Sequence, residues 1–168
     1  MVGFVDRIGA ALLTELARDG RASQVRLSER IGLSPTACAR RQKSLEDEGL
    51  IAGYQAVLDL KKLGFSTTII VRLTLESQSE DALDEFERAV AACSSVLRCF
   101  LMSGTDDYIL IISARDVEDF EFIHHTQLSR LPRVARLQSS FVIREVVNNQ
   151  FPARALCTTP SPPPRQAR

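Results

Sequence analysis

Leu33-Ser34-Pro35-Thr36-Ala37-Cys38-Ala39-Arg40-Arg41-Gln42-Lys43-Ser44-Leu45-Glu46-Asp47-Glu48-Gly49 is the stretch on which the reading of this chain turns. Ser34 has the side-chain oxygen of an N-cap, and Pro35 follows at the first helical position, where a missing N–H is harmless. Leu33 is placed to staple onto Cys38, and Gly49 stands where a helix from Pro35 to about Glu48 must stop. With Cys38 and Leu45 turned inward, helical spacing throws Thr36, Ala37, Arg40, Lys43 and Ser44 outward.

Two further helices precede this one. Ile8, Leu12, Leu13 and Leu16 recur at helical spacing between Asp6 and Arg18, and Asp19-Gly20 supplies a stop. Ser23 caps a shorter helix with Leu27 and Ile31 on one face, and Gly32 ends it. Three short helices joined by tight turns, the third opening on Ser-Pro-Thr, predict a helix-turn-helix whose third helix enters the DNA major groove N-terminus first. Arg40 can fork onto a guanine edge or neutralise a phosphate. Ser34, Thr36 and the free N–H groups at the helix start suit phosphate oxygens. Arg41 projects near the inward side, so pairing with an acidic residue of the bundle competes with a DNA role. The bland alternative for Arg40, Arg41 and Lys43 is the solvated face of a helix.

Beyond Gly49, Leu50 to Tyr54 reads as a short strand, and residues 55–64 as a connector ending in Lys61, Lys62 and Gly64. The periodicity then changes from 3.6 to 2. Phe65 to Glu76 alternates as a strand, with Ile69, Val71, Leu73 and Leu75 on one face. Ser79 caps a helix with a Leu83, Phe86 and Val90 stripe. Val96–Met102 and Tyr108–Ala114 form a hairpin closed by Ser103 to Asp107. Asp116 caps a helix carrying Val117, Phe120, Ile123 and Leu131, Pro132 ends it, and Val134–Val147 is the last strand. The order β-α-β-β-α-β is the ferredoxin-like arrangement, a four-stranded antiparallel sheet with both helices on one face. The expected architecture is therefore α+β: residues 1–53 a three-helix, winged helix-turn-helix domain, 54–64 a hinge, 65–150 the ferredoxin-like domain. Residues 151–168, rich in Thr, Ser, Pro and Arg, are expected to be disordered. Apolar residues on both faces of the strands call for a second copy to cover the open face, giving a symmetric dimer.

Composition narrows the function. Of 168 residues, 45% are hydrophobic, enough for packed cores, and 21 basic residues balance 21 acidic ones. Residues 1–65 hold ten basic and eight acidic side chains, residues 66–151 eight and thirteen, which places the mild positive bias at the N-terminal side. Cys38, Cys93, Cys99 and Cys157 form no CxxC pair and the two histidines are adjacent, so neither a metal site nor a disulfide framework is indicated. No apolar run approaches a membrane span, no signal peptide is evident, and the expected location is the cytoplasm.

Ser34 to Arg41, followed by Leu45-Glu46-Asp47-Glu48-Gly49-Leu50-Ile51, closely resembles the third-helix signature of the leucine-responsive and asparagine regulator (Lrp/AsnC) family. Asp19-Gly20-Arg21, Leu27 to Ser34 and Ser103-Gly104-Thr105-Asp106-Asp107-Tyr108 match it further, and the resemblance spans roughly residues 4 to 148. It implies a sequence-specific transcription regulator without catalytic residues or cofactor, forming dimers and often octamers on palindromic double-stranded DNA. Its effector would be an amino acid or related metabolite bound between subunits at the edge of the second domain. Carried over, the effector residues would be Met102, Ser103, Gly104, Asp107 and Tyr108, with Gln138, Ser139 and Ser140 as neighbours. Chemistry agrees: Gly104 admits close backbone approach and Asp107 can accept from an α-ammonium group, although such a loop is also the ordinary way to close a hairpin.

Two positions depart from the family pattern. Gln42 stands where an aliphatic residue is usual, and Gly9 where an acidic one is common. Two other functions remain open at this point. One is a sensing and oligomerisation module that has lost DNA binding. The other is a haem-precursor decarboxylase of related architecture, for which His124 and His125 are the only candidate histidines.

Overall fold

The computed structural model describes residues 5–149. They fall into two compact units, divided between Val57 and Leu58 and again between Val146 and Val147. The first division lies inside the 54–64 connector. The expected disordered tail at 151–168 lies outside the described residues.

In the first unit, α1 (Arg7–Arg18), α2 (Gln24–Ile31) and α3 (Pro35–Asp47) each begin on a capping side chain, the expected Ser23 and Ser34 for α2 and α3 and Asp6 for α1. Asp6, Ser23 and Ser34 accept from the backbone N–H groups of Gly9, Arg26 and Ala37. Leu12, Leu16, Leu27, Cys38 and Leu45 form the core, with Leu33 and Ile51 packed against it. A buried Leu of this kind contributes about 2 to 5 kcal/mol when compared with Ala.

The end of α3 overturns one expectation. Gly49 adopts φ 72°, its N–H donates to Glu46 O at 2.9 Å, and Leu50 N–H reaches back to Leu45 O at 3.0 Å, a Schellman motif. Ile51 N–H also donates to Leu45 O, at 3.2 Å. Leu50 to Tyr54 was expected to be a strand, but its first two N–H donors are consumed by this cap and no strand forms there.

The second unit is a four-stranded antiparallel sheet in the order β2-β3-β1-β4, where β1 is Thr67–Leu75, β2 Val96–Leu101, β3 Tyr108–Ala114 and β4 Val134–Phe141. The helices α4 (Glu80–Ala91) and α5 (Val117–Thr126) supply the crossovers, giving the βαββαβ order. Ile69, Val71, Leu73 and Leu75 of β1 and Tyr108, Leu110 and Ile112 of β3 share a core with Phe86, Val90, Phe120 and Ile123 of the helices. Two boundaries move by more than two residues. The last strand was expected to reach Val147 but ends at Phe141, because β1 begins at Thr67 and Val142 N–H, bonded to Thr68 O at 2.9 Å, uses the last partner carbonyl. The helix expected to run to Pro132 stops at Thr126, and a 3₁₀ turn, Leu128–Arg130, carries Leu128 into the core. Val117, expected on the buried stripe, is 64% exposed.

Candidate nucleic-acid interface and effector loop

On α3, Cys38 and Leu45 are fully buried. At about 100° per residue, Thr36, Ala37, Arg40, Lys43 and Ser44 therefore share the opposite side. Ala37 and Ser44 are half-buried and the other three exposed, as is Ser34 at the cap. Their partners differ. Lys43 Nζ lies 3.2 Å from Asp47 Oδ1, and Ser44 Oγ donates to Glu48 Oε1 at 2.6 Å. Arg40 has no ion-pair partner among the described residues. Asp47 and Glu48 put negative charge at the C-terminal end of α3, so a polyanion is favoured at its N-terminal half, where the dipole and unpaired N–H groups also attract it.

Arg41 takes the bundle role. Its Nη2 lies 2.8 Å from Asp6 Oδ1, the oxygen that also accepts from Gly9 N at 2.7 Å. The Gly9 N–H and the guanidinium together hold the Asp6 carboxyl below its ordinary range. Gly9 itself is accounted for here. A Cβ at this position would stand 3.0 Å from Asp6 Oδ1, 3.1 Å from Arg41 Nη2 and 2.9 Å from Val5 Cγ1. The α1–α2 contact adds Glu15, bonded to Arg30 and to Arg18, and these pairings lower its pKa.

Gln42, the other departure, also finds partners. Its Oε1 accepts from Gln24 Nε2 at 2.6 Å, and its Nε2 donates to Tyr54 Oη at 2.7 Å and to Glu46 Oε1 at 3.1 Å.

In the second unit, Met102, Ser103 and Gly104 are exposed in the loop between β2 and β3, with Met102 N–H closing it onto Asp107 O at 2.8 Å. Gly104 has φ 152° and open space where a Cβ would project. Asp107 and Tyr108 were expected to face a ligand, and both are buried instead. Asp107 Oδ2 accepts from Leu75 N and Oδ1 from Gln78 Nε2, each at 2.7 Å, so its carboxylate continues the β1 ladder beyond the end of β3. Tyr108 Oη donates to Glu87 Oε1 at 2.7 Å on the helix side of the sheet; burial and that carboxylate push its pKa up. Ser139 also departs from the expectation. Pairing places it opposite Val71 on the helix side, while Gln138 and Ser140, opposite Arg72 and Ile70, lie on the open face.

That open face carries residues which the sequence reading missed. Asp106 sits 3.9 Å from Arg72 Nε and 3.5 Å from Arg136 Nη2, and Arg72 Nη1 lies 3.4 Å from Ser140 Oγ. Thr74, paired with Arg136, has a buried hydroxyl without a partner among the described residues. The signal was strand alternation: Arg72, two places from Ile70 and Thr74, could not face the helices.

Residues 5–52 match the family model for winged helix-turn-helix DNA-binding domains and residues 68–150 that for the Lrp/AsnC ligand binding domain. The leucine-responsive regulatory protein of Haemophilus influenzae is 37% identical over 147 residues, covering 88% of this chain and 89% of its own. A transcriptional regulator from Neisseria meningitidis solved with L-Met superposes with TM-score 0.84 at 32% identity, over 90% of this chain and 99% of that one. The feast or famine regulatory protein from M. tuberculosis complexed with L-methionine gives 0.73 at 26%, over 89% and 99%. An N-terminal three-helix reading head and a βαββαβ sheet, matched along nearly their full length, lead to one conclusion: the chain belongs to the Lrp/AsnC family of DNA-binding transcription regulators.

Proposed function

We propose that this regulator acts in the cytoplasm, that a dimer places two α3 helices in successive major grooves of a palindromic operator, and that an amino acid at the β2–β3 loop alters that binding. The observation that carries the DNA contact is the state of Arg40. It stands exposed on the outward side of α3 without an acidic partner among the described residues, while Arg41 is committed to Asp6. Ser34, Thr36, Ala37, Lys43 and Ser44 surround it as phosphate and register contacts. Arg41 supports them from behind by fixing α1 to α3.

For the effector, the Neisseria and M. tuberculosis relatives solved with methionine support an amino acid. Its ammonium fits Asp106, which faces the open side, rather than Asp107, whose oxygens are taken. Its carboxylate fits Arg72 and Arg136, with the Thr74 hydroxyl, Gln138 and Ser140 nearby. The Met102, Ser103 and Gly104 backbone forms the rim. The internal pairs at 3.5 and 3.9 Å are longer than direct charge-assisted hydrogen bonds, leaving a ligand something to gain. An effector shifts DNA affinity only by binding the alternative states unequally, typically by about 1 to 3 kcal/mol.

The regulator reading is favoured over a decarboxylase because the two histidines do not converge. His124 stacks edge-on to Phe120 at 6.2 Å and His125 is exposed. The DNA contact is tested by titrating duplexes selected from a randomised pool with the native protein and with Arg40→Ala. A guanine contact predicts a loss of about 1 to 3 kcal/mol with relaxed specificity at one base pair. A phosphate contact predicts uniform weakening and a salt slope smaller by about 0.9. Unchanged affinity and unchanged slope would remove Arg40 from the interface.

A further inference from the structure

Gln42 does more than find a substitute for apolar packing. Its amide, the Tyr54 hydroxyl and the Glu46 carboxylate close a ring, since Tyr54 Oη also lies 2.8 Å from Glu46 Oε1. The directions in this ring are determined. An ionised carboxylate only accepts, so the Tyr54 proton goes to Glu46, and the phenol oxygen is left to accept from Gln42 Nε2. That orients the Gln42 carbonyl toward α2, where Gln24 must donate with its own Nε2. Gln24 Oε1 is then buried with no partner among the described residues. An orphaned acceptor is destabilising, so the arrangement sacrifices stability for direction. An aliphatic residue at position 42 would pack against α2 without imposing either.

We propose that Gln24, Gln42, Glu46 and Tyr54 form a positioning latch that sets the roll of α3 about its axis and so governs sequence discrimination rather than overall attraction to DNA. Gln42 lies about 200° around the helix from Arg40, so it does not share the outward face. Its leverage is rotational. At a helix radius of about 5 to 6 Å, a roll of roughly 10° carries the outer face through about 1 Å. A forked hydrogen bond to a base edge tolerates only about 0.5 Å of misplacement. Attraction to phosphates varies far more gently with distance. The latch ties α3 to α2 on one side and to the segment leaving the first unit on the other, through hydrogen bonds of 2.6 to 3.1 Å.

The test uses the full chain and a duplex selected by the native protein from a randomised pool, alongside a scrambled duplex of equal length. Anisotropy titrations across a salt series give the ratio of the two affinities and the salt slope. Tyr54→Phe, which removes one hydroxyl, and Gln42→Leu, which restores apolar packing, are each expected to lower the ratio about tenfold while the scrambled duplex and the slope stay as they were. Glu46→Gln keeps an acceptor for the Tyr54 proton and is expected to retain the native ratio, whereas Glu46→Ala is not. Thermal melting runs alongside. A lowered melting temperature with an unaltered ratio in Tyr54→Phe would overturn the proposal, leaving the cluster a packing feature. Equal weakening toward both duplexes, or failure of the native protein to select any sequence, would overturn it as well.

Discussion

Gly9 illustrates how a residue that looks unfavourable in isolation can be the right choice. Glycine inside a helix costs about 0.5 to 1 kcal/mol relative to alanine. Here the absent Cβ leaves room for the Asp6 carboxylate and the Arg41 guanidinium that meet over it. Gly9→Ala is therefore expected to lower stability by about 1 to 3 kcal/mol, as overpacking does, despite its better propensity. Urea denaturation followed by far-UV circular dichroism reads this directly, and a gain in midpoint would contradict the account. Gln42 is the second case, where a polar group in an apolar position is accommodated by a hydrogen-bonded ring. Neither accommodation was legible from the chain, because Arg41 is distant in sequence from Asp6 and Gly9, as Gln24 and Tyr54 are from Gln42.

Elements were read more securely than the side chains at their ends. Four of the five α-helices begin on the Ser or Asp expected as the N-cap (Ser23, Ser34, Ser79 and Asp116), although Ser79 makes no side-chain cap bond, and the structure adds Asp6 as the cap of α1. The β2–β3 hairpin closes at the expected loop. Where strands end was harder, since a strand lasts only as long as its neighbour offers ladder partners, as Leu50 to Tyr54 and the span beyond Phe141 show. The same ladder logic separates two adjacent aspartates. Asp107→Asn is expected to lower the melting temperature of the unliganded protein, because a buried carboxylate that receives two hydrogen bonds is weakened, by about 1 to 3 kcal/mol. Asp106→Asn is expected to leave that temperature nearly unchanged and to reduce the thermal shift caused by L-methionine. The reverse pattern would return the effector role to Asp107.

At the scale of the molecule, the sheet has a covered face and an open one. Ile70, Ile109, Ile111 and Phe100 lie on the open face, Phe100 46% exposed and the isoleucines half-buried. A second copy laid face to face, its inner face about 10 Å away, would cover them, which is the dimer proposed above; octamers would require further contacts between dimers. Ile111→Lys is expected to shift sedimentation toward the monomer and to weaken operator binding by removing the second reading head. Undiminished dimer mass would place the interface elsewhere. Among the described residues, no helix is long and apolar enough to cross a membrane.

Local chemistry was sufficient for the sequence to determine the three-helix head and the βαββαβ order, because caps, turn residues and the 3.6 and 2.0 periods act over neighbours in the chain; the family came from the resemblance of its motifs. Only the tertiary structure decided which polar groups were free to meet a ligand. Arg41, Asp107 and Tyr108 have the right chemistry, but Asp6, Leu75 with Gln78, and Glu87 already engage them. Hydrogen-bonding capacity belongs to a residue, whereas its availability depends on what the fold brings alongside.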